Sequence, residues 1–200
     1  MAKLIFKYGA MGASKTANAL MVRYNYIERG KTPIMLKPKL ENRDGEKSIR
    51  SRIGLDCECE FVEDFLERMK DYKNSNEWYD AIIVDEAQFL TTEQVDALAN
   101  IVDKYGIPVI CYGLRTDFKT EGFEGSTRLL LIADQIEEIK TICWCGKAAC
   151  FNARINEKGE VIRDGNKILF GANDTYISLC RKHYKSGRTS GNDVAKEMRY

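Results

Sequence analysis

The chain has 200 residues, of which 44% are hydrophobic and 30% are charged, and its formal net charge is +1. This length and apolar content suit one main domain with a small appendage, and they exclude a second large lobe. The balanced charge argues against a nucleic-acid-binding protein, which usually carries a basic surplus on one face. The charge balance does not exclude a protein that binds small anionic ligands.

The sequence pattern gives no indication of a signal peptide or of a membrane-spanning segment. The N-terminal apolar run is short and is followed at once by a glycine-rich loop, so it lacks the apolar segment and cleavage site of a signal peptide. No apolar run reaches the length that crosses a bilayer. The seven cysteines are an odd number and fit a reducing compartment, where thiols pack or bind metal. We therefore expect a cytoplasmic protein with no membrane partner.

Strands and helices alternate along the first two thirds of the chain. Helical periodicity follows Lys15 as far as Gly30, and a second helix is predicted from a cap at 91–94 to Gly106. Strands rich in apolar and β-branched residues are predicted at 3–8, 33–36, 80–84, 107–112 and 136–142. This alternation predicts an α/β fold with a parallel sheet and helices on both faces.

The first strand leads into a loop with the features of a phosphate-binding loop (P-loop). Backbone N–H groups of such a loop surround phosphate oxygens, while Lys15 supplies positive charge and Thr16 can place a hydroxyl on Mg²⁺. Ser14 stands where the pattern G-x-x-x-x-G-K-[ST] has its second glycine, and we expect it to adopt a backbone conformation open to any residue. The ATP-binding residues expected in this loop are Gly9, Ala10, Met11, Gly12, Ala13, Ser14, Lys15 and Thr16.

Two carboxylates, Asp85 and Glu86, follow the strand predicted at 80–84. The carboxyl ends of parallel strands share one edge, so these acids are expected beside the phosphate loop. An acid there typically holds Mg²⁺, and a neighbouring acid can orient or deprotonate a nucleophile. The pair therefore offers a cation ligand and a group that acts on a nucleophile.

The segment 112–118 leaves the next strand at the same edge. It supplies aromatic and aliphatic surface for a flat ligand, and Arg115 supplies a guanidinium for phosphate.

The pattern changes at about residue 142, beyond which turn signals and short alternating stretches predict a small β-rich unit. Two pairs of potential metal ligands lie in this part, and four such side chains suit tetrahedral structural Zn²⁺. Cys150 is near enough to be a rival ligand, whereas Cys57, Cys59 and Cys111 are interpreted as packing or surface thiols. The expected zinc ligands are Cys143, Cys145, Cys180 and His183.

Three regions are predicted on this basis. Residues 1–142 form an ATP-binding core, residues 143–184 form a zinc-binding unit, and residues 185–200 form a polar tail.

Together these motifs resemble those of a thymidine kinase of the cellular and bacterial type (type II), and the resemblance covers residues 3–184. It rests on the loop 9–16, the run 85–89 (Asp-Glu-Ala-Gln-Phe), the run 111–118 (Cys-Tyr-Gly-Leu-Arg-Thr-Asp-Phe) and the cysteine and histidine pairs. The resemblance implies transfer of the γ-phosphoryl group of ATP to the 5′-hydroxyl of thymidine or deoxyuridine, for nucleotide salvage. It also implies a zinc-anchored loop, called the lasso, and assembly as a homotetramer.

The resemblance further implies roles for individual residues. Glu86 is expected to be the catalytic base at the 5′-hydroxyl, and Thr16 and Asp85 are expected to serve Mg²⁺. Arg43 and Gln88 join the ATP-binding set. Residues expected around thymine are Met11, Phe89, Leu114, Phe118 and Tyr176.

Two other functions compete with this interpretation. The run Asp-Glu-Ala-Gln at 85–88 also resembles the acidic motif of helicase-type ATPases, but those need two large lobes and basic tracks for the strand. A zinc-ribbon binding module without catalysis would keep the metal ligands and leave the phosphate loop idle, and Ser14 favours this alternative. Phosphate release that depends on thymidine, and not on DNA or RNA, would separate the three.

Overall fold

The computed structural model describes residues 1–40, 47–72, 78–166 and 175–191. Parallel strands form a main sheet, and antiparallel strands form smaller sheets beside it. Within the described ranges, no helix combines the length and the apolar character needed to span a bilayer.

In the part of the chain that the structure describes, six strands form the main sheet. They are β1 (Leu4–Tyr8), β2 (Pro33–Lys37), β5 (Glu60–Phe61), β6 (Ala81–Val84), β7 (Val109–Gly113) and β8 (Gln135–Glu138). Their spatial order is β5-β2-β6-β7-β1-β8, and all neighbours pair in parallel. Every residue of β6 and β7 is buried, as expected of central strands covered on both faces.

Helices cover both faces of this sheet, so the predicted α/β architecture is confirmed. They are α1 (Lys15–Ile27), α2 (Val62–Met69), α3 (Thr92–Tyr105) and α4 (Glu124–Ile132). Ala19 of α1 belongs to the apolar cluster on one face, together with Ile83 of β6. Phe65, Leu98 and Leu129 bring α2, α3 and α4 into the larger cluster on the other face.

The ends of α3 follow from local chemistry. The Thr91 hydroxyl accepts a hydrogen bond from the Gln94 N–H at 3.2 Å, and the Gln94 side chain accepts one from the Thr91 N–H at 3.0 Å. This reciprocal capping box starts the helix, and Gly106 at φ 69° ends it. Both predicted boundaries are confirmed.

The strand predicted over 136–142 is two strands. β8 pairs with β1 in the main sheet, whereas β9 (Thr141–Ile142) pairs with β10 (Ala148–Ala149). The Ile139 N–H still donates to the Tyr8 carbonyl at 2.7 Å, and the chain then leaves the main sheet. The apolar run is continuous in sequence, so its periodicity could not show the change of sheet.

A short hairpin was not predicted. It consists of β3 (Ser48–Arg50) and β4 (Asp56–Glu58), paired antiparallel. Ile49 is buried in the cluster that also contains Ala19, so the hairpin lies on the α1 face of the main sheet. Its strands are too short and too polar to give a clear alternating pattern.

The second unit is β-rich, as predicted. Besides β9 and β10, it contains β11 (Phe151–Ile155), β12 (Val161–Ile162), β13 (Thr175–Leu179) and α5 (Arg181–Ser186). The strands form an antiparallel sheet in the order β12-β11-β13. Residues 167–174 of the predicted β-rich unit and the end of the predicted tail, 192–200, lie outside the described residues.

Candidate active site

Three neighbouring strands of the main sheet end at one edge. Strand β7 lies between β1 and β6, with Tyr8 in register with Gly113 and Val84 in register with Cys111. The loops that follow these strands therefore start side by side. They are the phosphate loop 9–16, the acidic turn at 85–89 and the segment 114–118.

The phosphate loop begins with a glycine because the backbone of another segment lies against it. A Cβ atom at Gly9 would lie 2.4 Å from the Ile139 carbonyl oxygen, which no side chain could accommodate. The Lys15 ammonium donates back to the carbonyls of Gly9 at 3.2 Å and Ala10 at 3.0 Å. Lys15 thus lies over its own loop, at the N-terminus of α1, where an anion is favoured.

Ser14 has a left-handed backbone conformation, with φ 56° and ψ 30°. The expectation that this position is open to any residue was therefore wrong. The cause is the chain reversal into α1, which requires the left-handed geometry that the missing glycine of the motif would adopt without strain. Ser14 keeps the loop geometry at a conformational cost.

The acidic turn combines a buried and a more accessible carboxylate. Asp85 is only 4% exposed, and burial together with the nearby Glu86 raises the pKa of its carboxyl to about 7. A hydrogen bond from the Thr16 hydroxyl and the charge of Lys15 act in the opposite direction on this pKa. Carboxylate and hydroxyl oxygens are ligands that Mg²⁺ prefers, so Thr16 and Asp85 fit a cation site.

A cavity of about 550 Å³ opens at this edge of the sheet. Its lining includes residues of the phosphate loop and of the acidic turn. It also includes an apolar and aromatic surface, which we call the nucleoside wall; this surface consists of Met11 from the phosphate loop, Phe89 from the acidic turn, Leu114, Phe118 and Tyr176. The Phe118 and Tyr176 rings meet edge to face at 6.5 Å between centroids.

Most of the residues predicted for the site line this one cavity. Lys15, Thr16, Asp85, Glu86 and Gln88 do so together with the nucleoside wall, and Gly12 and Ser14 join them from the phosphate loop. Gly9, Ala10 and Ala13 belong to the same loop and lie behind it, where Ala10 and Ala13 are buried. Arg43 lies outside the described residues.

The expectation that Arg115 supplies a guanidinium for phosphate was wrong. Its guanidinium lies over the Tyr8 ring, 5.3 Å from the centroid, and Arg115 is not part of the cavity lining. This contact joins the segment after β7 to the end of β1, which the linear order of the segment could not show.

Several lining residues were missed. Lys37 at the end of β2 is 1% exposed, and its ammonium donates to the Ser48 carbonyl at 2.9 Å, so it ties the β3–β4 hairpin to the main sheet. Residues 49–53 of that hairpin line the cavity. Lys37 could have been identified from sequence as a basic residue at the end of an apolar strand. The hairpin segment contains no recognisable motif.

The second unit contacts the phosphate loop directly. The Asn152 carboxamide accepts from the Met11 N–H at 2.8 Å and donates to the Thr116 carbonyl at 2.8 Å. Ser178, the cross-strand neighbour of Asn152, donates its hydroxyl to the Met11 carbonyl. Both polar groups of the Met11 backbone are thus held by β11 and β13, which sequence reasoning did not anticipate.

The four predicted zinc ligands form a cluster. Their donor atoms all lie within 4.8 Å of one another, with the Cys143 and Cys180 sulfurs each 3.4 Å from His183 Nδ1. A tetrahedral site with Zn–S bonds of about 2.3 Å has ligand atoms about 3.8 Å apart, so the geometry fits such an ion. Cys150 does not belong to this cluster among the described residues.

The surroundings of the cluster shift the pKa values of its members in different directions, and burial raises the pKa of the Cys143 thiol. A backbone hydrogen bond from His183 lowers the pKa of the Cys180 thiol, and burial lowers the pKa of His183. A thiolate and a neutral imidazole are the forms that coordinate zinc. The Trp144 ring stacks on His183 at 4.2 Å between centroids and covers one side of the cluster.

The fold and cavity define a P-loop α/β protein whose site suits phosphoryl transfer to a flat, partly apolar substrate. Comparison with known proteins is more specific. The family profile described as thymidine kinase matches residues 2–184. This chain belongs to the thymidine kinase family.

Individual relatives match over almost their whole length. The thymidine kinase of Pasteurella multocida (strain Pm70) is 47% identical over 188 residues, which is 92% of this chain and 97% of that protein. The thymidine kinase of Enterobacteria phage T4 is 47% identical over 200 residues, covering 99% and 100%. That of Haemophilus influenzae (strain 86-028NP) is 45% identical over 192 residues, covering 92% and 97%.

Proposed function

We propose that this chain transfers the γ-phosphoryl group of ATP to the 5′-hydroxyl of thymidine, and of deoxyuridine, giving dTMP for nucleotide salvage. The observation that carries the proposal is that one cavity is lined by the phosphate loop, by the carboxylates of Asp85 and Glu86 and by the nucleoside wall. Membership of the thymidine kinase family supports the same substrates, and a kinase of this family uses ATP and Mg²⁺.

The triphosphate is assigned to the phosphate loop. Its backbone N–H groups and the Lys15 ammonium would neutralise charge on the phosphates, and Thr16 with Asp85 would hold the Mg²⁺ ion. When bound, that cation supplies further charge neutralisation. Phosphoryl transfer through a loose transition state depends mainly on such positioning and charge, so Lys15 is expected to matter more than proton abstraction.

Glu86 is assigned to the 5′-hydroxyl. It lines the same cavity as Asp85, the phosphate loop and the nucleoside wall, so a nucleoside bound there would present its hydroxyl to the Glu86 carboxylate. The carboxylate would accept the hydroxyl hydrogen, orient the oxygen towards the γ-phosphorus and take up the proton as the bond forms.

Structural Zn²⁺ is assigned to Cys143, Cys145, Cys180 and His183, as a closed site that fixes the second unit and takes no part in the chemistry. Residues 1–142 are assigned to the kinase core and residues 143–184 to this zinc unit, the lasso. We further propose a cytoplasmic homotetramer, as the family resemblance implies.

One assay tests the proposal. Purified protein is supplied with ATP and Mg²⁺, and ADP release is followed with each of the four natural deoxynucleosides and deoxyuridine. The expected result is turnover with thymidine and deoxyuridine. ADP release that responds to DNA or RNA and not to thymidine would support a helicase-type ATPase instead, and no release with any addition would support a binding module.

A further inference from the structure

Gln88 is a buried polar side chain within the candidate active site. It lies in the 3-10 turn Ala87–Phe89 after β6, is 2% exposed and lines the cavity. A carboxamide taken out of water to this extent needs hydrogen-bond partners, because an unsatisfied one is costly. Its partners therefore indicate what it does.

Gln88 bridges the acidic turn and the nucleoside wall. Its side-chain nitrogen donates to Glu86 Oε2 at 2.5 Å, and its side-chain oxygen accepts from the Leu114 N–H at 3.0 Å. A carboxylate can only accept and a backbone N–H can only donate, so these two partners fix which end of the amide faces which. A flipped carboxamide would lose both contacts.

Close packing around the turn restricts the side chain further. A Cβ atom at Gly113 would lie 2.9 Å from the Gln88 side-chain oxygen and 3.0 Å from its backbone nitrogen. On the α4 side, a Cβ atom at Gly125 would lie 2.5 Å from the Ala87 carbonyl oxygen. Glycines at both positions let β7 and α4 press against the turn, so Gln88 has little freedom to reorient.

We propose that Gln88 is a positioning residue that couples nucleoside binding to the orientation of the Glu86 carboxylate. The proposal rests on the proposed function, and in particular on Glu86 acting at the 5′-hydroxyl. Through one rigid amide, a displacement of Leu114 in the nucleoside wall is transmitted to Glu86. A nucleoside that seats correctly against Leu114 thus holds the carboxylate in its working orientation.

This role differs from the ATP contact expected for Gln88 from sequence, and the two predict different kinetics. A side chain that binds ATP affects mainly the KM for ATP when it is removed. A side chain that positions Glu86 affects kcat, because a misplacement of about 1 Å in a reacting group can cost about 100-fold in rate.

The test compares Gln88→Met with Gln94→Met. Methionine keeps the length and buried volume of glutamine and removes both hydrogen bonds. Gln94 is the matched control, since its side chain serves the α3 capping box and Glu63 and lies outside the cavity lining. We expect Gln88→Met to lower kcat by about 10- to 100-fold, while the KM for ATP stays within about threefold of the parent value. The control variant Gln94→Met should lower the melting temperature without changing kcat.

A double-mutant cycle and a second variant make the result specific. Adding Gln88→Met to Glu86→Gln should cost little further activity, because the group that Gln88 positions is already lost. Gly113→Ala removes no polar group, yet its Cβ atom would displace the Gln88 amide, so it should lower kcat in the same direction. This variant tests the proposal even if Gln88→Met does not fold.

Three outcomes would overturn the proposal. The first is a folded Gln88→Met or Gly113→Ala variant with the kcat of the parent. The second is a rise in the KM for ATP at constant kcat, which would support a direct contact between Gln88 and ATP. The third is full additivity of the activity losses caused by Gln88→Met and Glu86→Gln. Failure of the proposed function is recognised separately, because the parent protein itself would then show no thymidine-dependent turnover.

Discussion

Two residues at the rim of the cavity, Ser14 and Glu86, have left-handed backbone conformations, with φ 56° and φ 50°. For residues with a Cβ atom this geometry costs about 1–2 kcal/mol, and it tends to persist where surrounding structure and function require it. In Ser14 the strain shapes the entry to α1. In Glu86 it brings a carboxylate to the cavity directly after the buried Asp85.

Ser14→Gly is expected to stabilise the protein without improving ATP binding. The strain is present before any ligand binds, so its release favours folding and leaves little differential effect on affinity. We expect the melting temperature to rise by about 1–3 °C and the dissociation constant of ATP to stay within about threefold. Thermal unfolding and isothermal titration measure the two effects.

Gly12→Ala is the matched control for that experiment. Gly12 has φ 73°, and a Cβ atom there would come no nearer than 4.0 Å to another heavy atom, so the change adds backbone strain without a steric clash. It should lower the melting temperature by a similar amount. A tenfold or larger gain in ATP affinity for Ser14→Gly would show instead that the strain opposes binding.

Glu86→Gln is expected to lower kcat by about two to four orders of magnitude, which is the usual range for losing a positioned acid–base group. Thymidine affinity should change little, because the amide keeps the shape of the carboxylate. Steady-state kinetics and thymidine titration check this, with the exposed Glu93→Gln in α3 as control. Turnover within threefold of the parent would remove Glu86 from the catalytic assignment.

At the scale of elements, the second unit is a structural support of the phosphate loop as well as a cover for the nucleoside end. If the phosphate loop and the metal cluster were anchored separately, loss of zinc would weaken thymidine binding before ATP binding. The structure contradicts separate anchoring. Asn152 and Ser178, on β11 and β13, bind the backbone of Met11 in the phosphate loop.

His183→Ala and Cys145→Ala are therefore expected to weaken both thymidine and ATP binding while abolishing the one zinc ion expected per chain. Zinc is measured by elemental analysis of the purified protein, and each affinity by titration. Asn152→Ala separates the two effects, because it should retain zinc and weaken ATP binding by about fivefold, as expected for the one hydrogen bond of the two that Asn152 makes to the phosphate loop. Unchanged zinc content in both metal-ligand variants would contradict the assignment of the cluster.

At the scale of the whole molecule, the cavity is completed by elements far apart in sequence. The phosphate loop follows β1, the carboxylates follow β6, Leu114 follows β7, and Tyr176 comes from β13 in the second unit. Specificity for the base should therefore depend on the seating of the second unit on the core, where Tyr184 donates its hydroxyl to the Phe118 carbonyl at 2.6 Å.

Thymidine and deoxyuridine are expected to be preferred over deoxycytidine by at least about 100-fold in kcat/KM. If backbone groups of the second unit contact the base edge, cytosine, whose donor and acceptor are exchanged, would leave buried groups unpaired. Steady-state kinetics with the three nucleosides checks this. Comparable kcat/KM for deoxycytidine would contradict a model in which the base edge is recognised in this way.

Local patterns in the sequence determined much of the α/β core. The strands ending at Tyr8, Val84 and Gly113, the capping box of α3 and the spacing of the four metal ligands all depend on residues near one another in the chain. The motifs for phosphate binding, carboxylates and metal ligands could be recognised for the same reason. Each expresses a local requirement for backbone geometry, strand burial or ligand spacing.

Tertiary structure alone decided the contacts between these parts. The conformation of Ser14, the direction of Arg115, the bonds of Asn152 to Met11 and Thr116, and the bridge from Gln88 to Leu114 all join segments that the fold brings together. A buried asparagine or glutamine looks in sequence like any other polar residue. Its role follows from its partners, and those partners are set by strand order and register, which no local pattern encodes.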